Sequence, residues 1–453
     1  MKPKILCNGL IFNDGLRFRG AITIFDGMIK KVEGGVIDPS TISRENYEVV
    51  DLRGKMVLPG FIDTHVHFRE PGFSEKGDIR SESMAAVAGG VTTFFDMPNN
   101  IPPTTTIEAW NDKMRRASEN SLANYAFYLG VTDDNIDELL RADYTHIPGV
   151  KLFMGSSTGN MLVDNDDSIR RLFEEFPGVI AVHAESEAEI ARNKAILSER
   201  YPDGIPVGLH HLVRSREACV AATTKAVELA RETGARLHVL HVTTADELEL
   251  FSAGAVEGKL ITAETCPHYL YFDSSSVEST GGLTKCNPAI KGIEDRKALR
   301  HAVADGVIDT IGTDHAPHQL FQKRVNNALR AASGMPSVQF ALPLMLQLAN
   351  RGCFTYEDVV EKMAHNPARI FNIDRRGFIR PNYWADLAVV NPDADYELHS
   401  SEVISPCGWT PYEGVRLRFR VEQTWINGDL AYNRGRFPGD HTPLAVRFSP
   451  SHY

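Results

Sequence analysis

The chain has 453 residues, of which 43% are hydrophobic and 24% charged, and its formal net charge at pH 7 is −11. This length suits a globular protein with one large domain and a smaller one, and the negative charge argues against binding to nucleic acid or to an anionic membrane. The sequence has no signal-peptide pattern at its start and no run of 18 apolar residues, and its six cysteines are scattered without a CxxC pair. We therefore expect a cytoplasmic protein with reduced thiols and no membrane span.

Short alternating segments at both ends of the chain predict a small β module. Residues 1–54 contain several such segments separated by turn signals, for example Asp26-Gly27. Similar short β-like segments, separated by turn residues, occur near the other end in "ADLAVVNPD" and "VEQTWINGDLAYNRG". Because chain termini often lie close together, we expect one β-sandwich module built from residues 1–54 and 371–453.

Between these ends, eight nearly apolar runs alternate with helical segments. Each run is rich in β-branched or aromatic residues, as is typical of strands buried on both faces. This count predicts an α/β fold, a (β/α)8 TIM barrel over residues 55–370, whose active site would form at the carboxyl ends of the strands. The predicted strands are 56–63, 91–97, 124–130, 149–154, 178–185, 236–242, 259–265 and 307–315, and clear helices between them are 167–177, 216–234 and 294–306.

Metal-binding side chains stand at the carboxyl ends of these runs. A single strand histidine is more often a structural residue than a ligand, but His65 and His67 are two residues apart and so face the same side of their strand. Imidazole and carboxylate ligands suit Zn²⁺, and ligand type alone leaves Mn²⁺, Co²⁺ or Fe²⁺ open. The further candidates at strand ends are His183, His241, Asp314, His315 and His318.

Lys151 stands inside the apolar run "GVKLFM". An unpaired ammonium is costly to bury there, so the lysine needs a partner. A nearby carboxylate is the ordinary solution, and a bridge between two metal ions is the alternative.

A series of motifs in chain order resembles the amidohydrolase superfamily and, within it, the dihydroorotases. The pattern HxH alone is weak, but HxHxREPG followed by MPNN and DHAPH is specific. The resemblance covers about residues 55–370, and the split β module fits it too. The motifs are "GFIDTHVHFREPG", "AAVAGGVTTFFDMPNN", "GVKLFMG", "HAE", "HV", "CPHYL" and "TDHAPH".

The resemblance implies two zinc ions per subunit, usually in a homodimer. Lys151 would be carboxylated on its amine and would bridge both ions. A hydroxide shared by the metals would attack a ring carbonyl, with Asp314 as general base and then general acid. The implied ligands are His65, His67 and Asp314 for the more buried zinc, and His183 and His241 for the more exposed one.

The implied substrate is a small cyclic amide. A dihydroorotase hydrolyses L-dihydroorotate reversibly to N-carbamoyl-L-aspartate, the ring-closing step of pyrimidine synthesis run backwards. Arg69, Asn99 and His318 would hold the exocyclic carboxylate, for which a planar guanidinium is well suited. Asn287 in "KCNPAIK" would contact the ring.

Three other functions remain open at this point. Dihydropyrimidinases and hydantoinases act on rings without the carboxylate and typically carry a tyrosine five residues after the bridging lysine, where this chain has Ser156. Allantoinases usually replace the arginine and the final histidine that this chain keeps at Arg69 and His318. The sequence of residues 333–344, however, is closer to that of allantoinases. A non-catalytic scaffold homologue would have lost metal ligands, and the sequence keeps the full set.

Three further histidines lie outside the implied ligand set. His268 in "CPHYL" either points toward the site or packs beneath it. His210 and His211 lie in a long connection, and we expect both to be surface or loop residues.

Overall fold

The protein's computed structural model describes residues 2–155, 161–163 and 165–449. Its architecture is α/β, as predicted. Ser156 lies outside the described residues, so its comparison with the hydantoinase tyrosine stays a matter of sequence. None of the helices in the described ranges combines the length and the apolar character that a membrane span requires.

The strands are β1 (Lys4–Asn13), β2 (Leu16–Phe25), β3 (Met28–Gly34), β4 (Glu48–Asp51), β5 (Met56–Pro59), β6 (Phe61–Val66), β7 (Val91–Asp96), β8 (Asn124–Phe127), β9 (Leu129–Gly130), β10 (Val150–Met154), β11 (Val179–Ala184), β12 (Arg236–Val239), β13 (Ile261–Thr265), β14 (Thr310–Ile311), β15 (Leu387–Asn391), β16 (Tyr396–Glu397), β17 (Arg416–Leu417), β18 (Arg420–Ile426) and β19 (Asp429–Asn433). The α-helices are α1 (Ile79–Ala88), α2 (Ile107–Asn120), α3 (Ile136–Arg141), α4 (Asp166–Glu175), α5 (Glu187–Arg200), α6 (His210–Val213), α7 (Arg216–Thr233), α8 (Pro267–Tyr271), α9 (Ser274–Thr280), α10 (Ile293–Ala304), α11 (Leu320–Lys323), α12 (Ala341–Asn350), α13 (Tyr356–Val360) and α14 (Asn366–Ile370).

The two ends of the chain form one eight-stranded sheet. Its order is β19-β18-β15-β5-β1-β2-β3, with β4 pairing alongside β1. Strand β5 pairs with β1 and β15, so the predicted run 56–63 is divided between this sheet and β6. The division falls at Gly60, where a Cβ atom would overlap the side chain of Thr92. A residue without a side chain lets the backbone pass closely from one sheet to the other.

The remaining predicted runs lie side by side as parallel strands in chain order. One sheet has the order β6-β7-β8 and another the order β14-β13-β12-β11-β10-β9, the predicted run 124–130 being divided between β8 and β9. The outer edges approach each other at a parallel bridge between Val66 and His315 and at a bond of 2.8 Å from His67 N to His315 O. All residues of β10 and β11 are buried, as the continuous apolar runs predicted.

The predicted helices 167–177, 216–234 and 294–306 occur as α4, α7 and α10. The residues at both ends of α7 explain where this helix begins and ends. The Ser215 side chain accepts a bond from Ala218 N at its beginning, and Gly234 ends it with a left-handed φ of 77°. Such crossover helices return the chain, so that successive strands run parallel and their carboxyl ends meet at one end of the sheet.

Candidate metal and substrate site

One pocket gathers the predicted site residues at the carboxyl ends of the parallel strands. His318 lies just behind its wall, in contact with Arg69. The pocket is lined by the predicted residues His65, His67, Arg69, Asn99, Lys151, His183, His241, Asn287 and Asp314, together with Phe153, Ala316, Ser333 and Gly334.

A three-residue group in this pocket could hold a metal ion. Nε2 of His65 and Nε2 of His67 lie 3.3 Å and 3.1 Å from Oδ1 of Asp314. The possible ligand atoms of the three buried residues all lie within 4.8 Å of one another. Burial lowers the pKa of His67 to about 4, while the imidazoles hold the pKa of Asp314 well below its usual range despite the opposing effect of burial. Neutral imidazoles and an ionised carboxylate are the forms that bind divalent metals.

The other nitrogen of each imidazole is held by a neighbour. His65 Nδ1 lies 2.7 Å from Oε1 of Glu264, and His67 Nδ1 lies 2.7 Å from Oδ1 of Asn99. Donation from Nδ1 leaves the lone pair on Nε2, on the side of Asp314. Burial tends to raise the pKa of Glu264, but His65 and other neighbours lower it to about 2, so its charge supports the donating tautomer.

His183 and His241 form a pair beside this group. Nδ1 of His183 lies 2.9 Å from Nε2 of His241, and the rings of His65 and His241 have centroids 5.4 Å apart. Burial lowers the pKa of both paired histidines. The far nitrogen of His183, Nε2, is 3.0 Å from Oε2 of Glu185, which also pairs with Arg214.

Glu264, Glu185 and Arg214 were not found by sequence reasoning. Glu264 stands in the apolar run "KLITAET", where a buried carboxylate demands a partner, and that was the available signal. Glu185 lies two residues after His183 in "HAE". Arg214 is far away in the sequence, and nothing local marks it as the partner of Glu185.

Lys151 is buried in the lining of the same pocket. Its Nζ lies 4.6 Å from the ring centroid of Phe153, and only 1% of the residue is exposed. Burial lowers the pKa of Lys151 to about 7, against the attraction of Asp314 and Glu264. A substantial fraction of this amine is therefore uncharged at neutral pH, and the uncharged form is the one that can react with CO₂.

Three site residues have a left-handed backbone although they are not glycine. The φ angles of Arg69, His241 and Asp314 are 70°, 43° and 46°. Such conformations cost roughly 1–3 kcal/mol each and persist where the surrounding structure enforces them. Their concentration at one pocket is typical of a functional site.

The substrate side of the pocket contains a buried guanidinium. Arg69 is 5% exposed, its Nε donates to Pro317 O at 3.1 Å, and its Nη2 lies 3.1 Å from Nε2 of His318. Burial lowers the pKa of Arg69 to about 10, so it remains charged at neutral pH. A buried cation that faces a pocket favours an anionic ligand.

His210 contradicts the expectation of a surface residue. It is buried, and its Nε2 lies 2.9 Å from Oδ1 of Asn287. Because these residues are 77 positions apart, the local sequence could not reveal the contact. His211 remains half-buried. His268 is buried against the ring of Tyr269, with centroids 4.2 Å apart, outside the pocket lining.

Comparison with known proteins gives these positions a context. Residues 56–431 match the model of the amidohydrolase family. A dihydroorotase from Halobacterium salinarum is 36% identical over 400 residues, which cover 86% of this chain and 90% of that protein. An allantoinase from Streptomyces avermitilis is 32% identical over 392 residues, covering 85% and 86% of the two chains. The fold is similar to that of L-hydantoinase (dihydropyrimidinase) from Arthrobacter aurescens, with a TM-score of 0.90 and 27% identity over 96% of this chain and 97% of that one.

Proposed function

The chain belongs to the amidohydrolase family, and on this premise we propose that it is a dihydroorotase, which hydrolyses L-dihydroorotate reversibly to N-carbamoyl-L-aspartate. The observation that carries this proposal is the position of Arg69. Its buried guanidinium lines the same pocket as His65, His67 and Asp314. A ring that bears a carboxylate can therefore be held with its amide bond toward the metal ligands.

The metal part of the proposal is a two-zinc site in a closed (β/α)8 barrel. The donor set fits, because the possible ligand atoms of the buried residues His65, His67 and Asp314 lie within 4.8 Å of one another, and the pKa values of His67 and Asp314 are both lowered. His183 and His241 would hold the second ion, and carboxylated Lys151 would lie between the two. When bound, the metals would supply Lewis acidity that activates water and polarises the ring carbonyl.

The protein's own residues would orient the ring and move the proton. Asp314 would accept the proton of the attacking water and return it to the leaving ring nitrogen, since its carboxylate lines the pocket beside His65 and His67. Arg69 would fix the ring through its exocyclic carboxylate, assisted by Asn99 and His318. Asn287, whose Oδ1 is occupied by His210, would offer its amide NH₂ to a ring carbonyl.

Allantoinase is the second candidate. It is favoured by the 32% identity to the Streptomyces avermitilis enzyme and by the sequence of residues 333–344, which is closer to that of allantoinases. Allantoin carries no carboxylate, so it gives no role to a buried Arg69. The scaffold alternative is disfavoured because the six residues of the implied metal-binding set, His65, His67, Lys151, His183, His241 and Asp314, all line one pocket.

The proposal also covers the setting of the enzyme. We propose that it is a homodimer, because dihydroorotases are usually dimeric. We propose a cytoplasmic location because the sequence has the composition of a cytoplasmic protein. Size-exclusion chromatography with light scattering would test the dimer, and a monomer at micromolar concentration would contradict it.

The direct test is an assay of the purified protein with L-dihydroorotate and with N-carbamoyl-L-aspartate. The zinc content is measured on the same preparation. We expect ring opening in one direction and ring closure in the other. A preparation that holds two zinc ions per chain and turns over neither compound would contradict the proposed function.

Lys151→Ala tests the bridging role separately. We expect the zinc content to fall from two ions to one or fewer, and high bicarbonate should not restore it because the amine is gone. Lys259→Ala is the matched control, since Lys259 bonds Asp309 and Ser252 O at the opposite end of the strands. Unchanged zinc in Lys151→Ala would contradict the bridge.

A further inference from the structure

Lys323, at the end of α11, is completely buried. Its Nζ donates to three backbone carbonyls, those of Lys285 at 2.8 Å, Ala332 at 2.8 Å and Gly334 at 2.6 Å. Burial and then the charge of Lys285 lower the pKa of Lys323. Three acceptors around one nitrogen nevertheless match the three hydrogens of the ammonium form, so these bonds compensate its burial.

One of the carbonyls that Lys323 binds, that of Gly334, belongs to the wall of the pocket, and Ala332 lies two residues before it. Ser333 and Gly334 line the pocket directly. A second lysine, Lys285, holds the same segment, since its Nζ donates to Ala331 O and, at 2.9 Å, to Oγ of Ser333. Gly334 N in turn donates to Lys285 O at 3.0 Å. Residues 331–334, which we call the pinned segment, are thus held by two buried lysine side chains.

The pinned segment is in direct contact with His318. Ser333 O lies 2.9 Å from Nε2 of His318. Gly334 has a left-handed φ of 125°, and a Cβ there would lie 2.6 Å from Ala316 O and 3.3 Å from Cδ2 of His318. The backbone therefore closes over the imidazole with no space for a side chain.

Lys323 also contacts Trp409, whose side chain donates a hydrogen bond to the backbone of His318. Trp409 Nε1 donates to His318 O at 2.8 Å, and Lys323 Nζ lies 5.8 Å from the centroid of the Trp409 ring. His318 is thus fixed on one side by the pinned segment and on the other by Trp409, and Lys323 touches both. The nitrogen so fixed is the one that contacts Nη2 of Arg69.

From this arrangement we infer that Lys323 is a positioning residue for the substrate-carboxylate site. It holds the pinned segment and Trp409 so that His318 and Arg69 present their nitrogen atoms at a fixed spacing. This inference rests on the proposed function for the identity of the anion, although the mechanical role of Lys323 is independent of it. No chemical step passes through Lys323, because it does not line the pocket.

Lys323→Met tests the inference, since it removes the three donors and keeps a similar length. Removing the hydrogen-bond partner behind a metal-ligating residue typically costs about 10–100-fold in affinity or activity. By analogy, we expect the KM for L-dihydroorotate to rise about tenfold or more. The kcat should stay within about threefold of the wild type, because the metal-binding residues are untouched. Amide hydrogen exchange should become faster in the pinned segment and around His318. Lys259→Met, at the far end of the strands, is the matched control and should change neither quantity.

The outcomes separate this inference from the proposed function. Faster exchange in Lys323→Met alone, in a protein whose wild type does not open L-dihydroorotate, would uphold the positioning role and reject the dihydroorotase. Unchanged KM and unchanged exchange in folded Lys323→Met would overturn the inference. If Lys323→Met does not fold, Trp409→Phe replaces it, since it removes only the bond to His318 O. Trp409→Phe must then raise the KM and the exchange around His318, or the inference fails.

Discussion

The proposed metal-binding side of the pocket is built on strands and their immediate ends, since His67, His241 and Asp314 follow β6, β12 and β14 within three residues. The proposed substrate-carboxylate side depends more on loop contacts. His65, Lys151 and His183 lie within β6, β10 and β11. Arg69 and His318 lie three and seven residues past β6 and β14, and the carbonyls of the loop residues Pro317 and Ser333 contact them. Strands fix ligands rigidly for chemistry shared across a family, while loops are where substrate preference can vary. Substitutions on the metal-binding side should therefore change turnover of every cyclic amide or the affinity for metal. Substitutions on the substrate-carboxylate side should change only the preference for rings that bear a carboxylate.

The largest effect is expected on the metal-binding side, from Asp314→Asn. The substitution keeps the shape of the side chain but removes the proton acceptor and one anionic metal ligand. We expect kcat to fall at least about 10³-fold with every cyclic amide tested, since positioned acid–base catalysis contributes about 10²–10⁴-fold. Steady-state kinetics on protein of known zinc content measures this, with the melting temperature as the control for folding. A kcat within tenfold of the wild type would reject Asp314 as the proton carrier.

Arg69→Met should affect only rings that bear a carboxylate. We expect kcat/KM for L-dihydroorotate to fall about 10²–10³-fold, because losing one partner of a buried charge pair costs about 2–5 kcal/mol. The zinc content should not change. The exposed Arg80 in α1 provides the matched control, Arg80→Met, with wild-type kinetics expected. Turnover near the wild-type rate in Arg69→Met would show that the carboxylate is held elsewhere.

Glu264→Gln should weaken the metal site without changing substrate preference. It keeps an oxygen that can accept from His65 Nδ1 and removes the charge behind it. We expect metal affinity to fall about 10–100-fold, as is usual when a carboxylate behind a ligating histidine is changed. Competition with a zinc chelator measures this affinity. A fall in preference for L-dihydroorotate at full zinc occupancy would contradict the separation between the two sides.

The smallest effect expected is the pH dependence of the metal-free protein. The pKa of Glu264 is about 2 in the fold against an ordinary value of 4.5, so its ionised form stabilises the native state. This stabilisation is present above pH 4.5 and is lost as the pH falls toward 2, and we expect it to amount to about 1–3 kcal/mol. Urea unfolding between pH 3 and 7 should show a steeper acid loss in the wild type than in Glu264→Gln. Equal slopes would mean that Glu264 is not stabilised by its neighbours.

The sequence predicted which residues meet at the possible metal site, although their role as ligands stays a prediction. His65 and His67 are two residues apart on a strand, and Asp314 ends another apolar run, so local patterns placed all three at one end of the fold. The same patterns predicted α4, α7 and α10. They failed at Gly60, because the run 56–63 is continuous in composition but is divided between two sheets by a close backbone contact.

The loop side was less predictable because its contacts join distant residues. His210 holds Asn287 across 77 positions, and Arg214 holds Glu185 across 29. Lys323 binds backbone carbonyls, which carry no sequence signal at all. Arg69 was identified through the motif it belongs to, and its burial against His318 became clear only in three dimensions.

We propose that the buried Arg69, beside the proposed metal ligands, selects a ring that carries a carboxylate. The most direct test is the ratio of kcat/KM for L-dihydroorotate to that for dihydrouracil and for allantoin, measured side by side on one zinc-loaded preparation. We expect L-dihydroorotate to be preferred by at least about 10²-fold, because losing one partner of a buried charge pair costs about 2–5 kcal/mol. A preparation that opens allantoin or dihydrouracil efficiently and leaves L-dihydroorotate intact would contradict it.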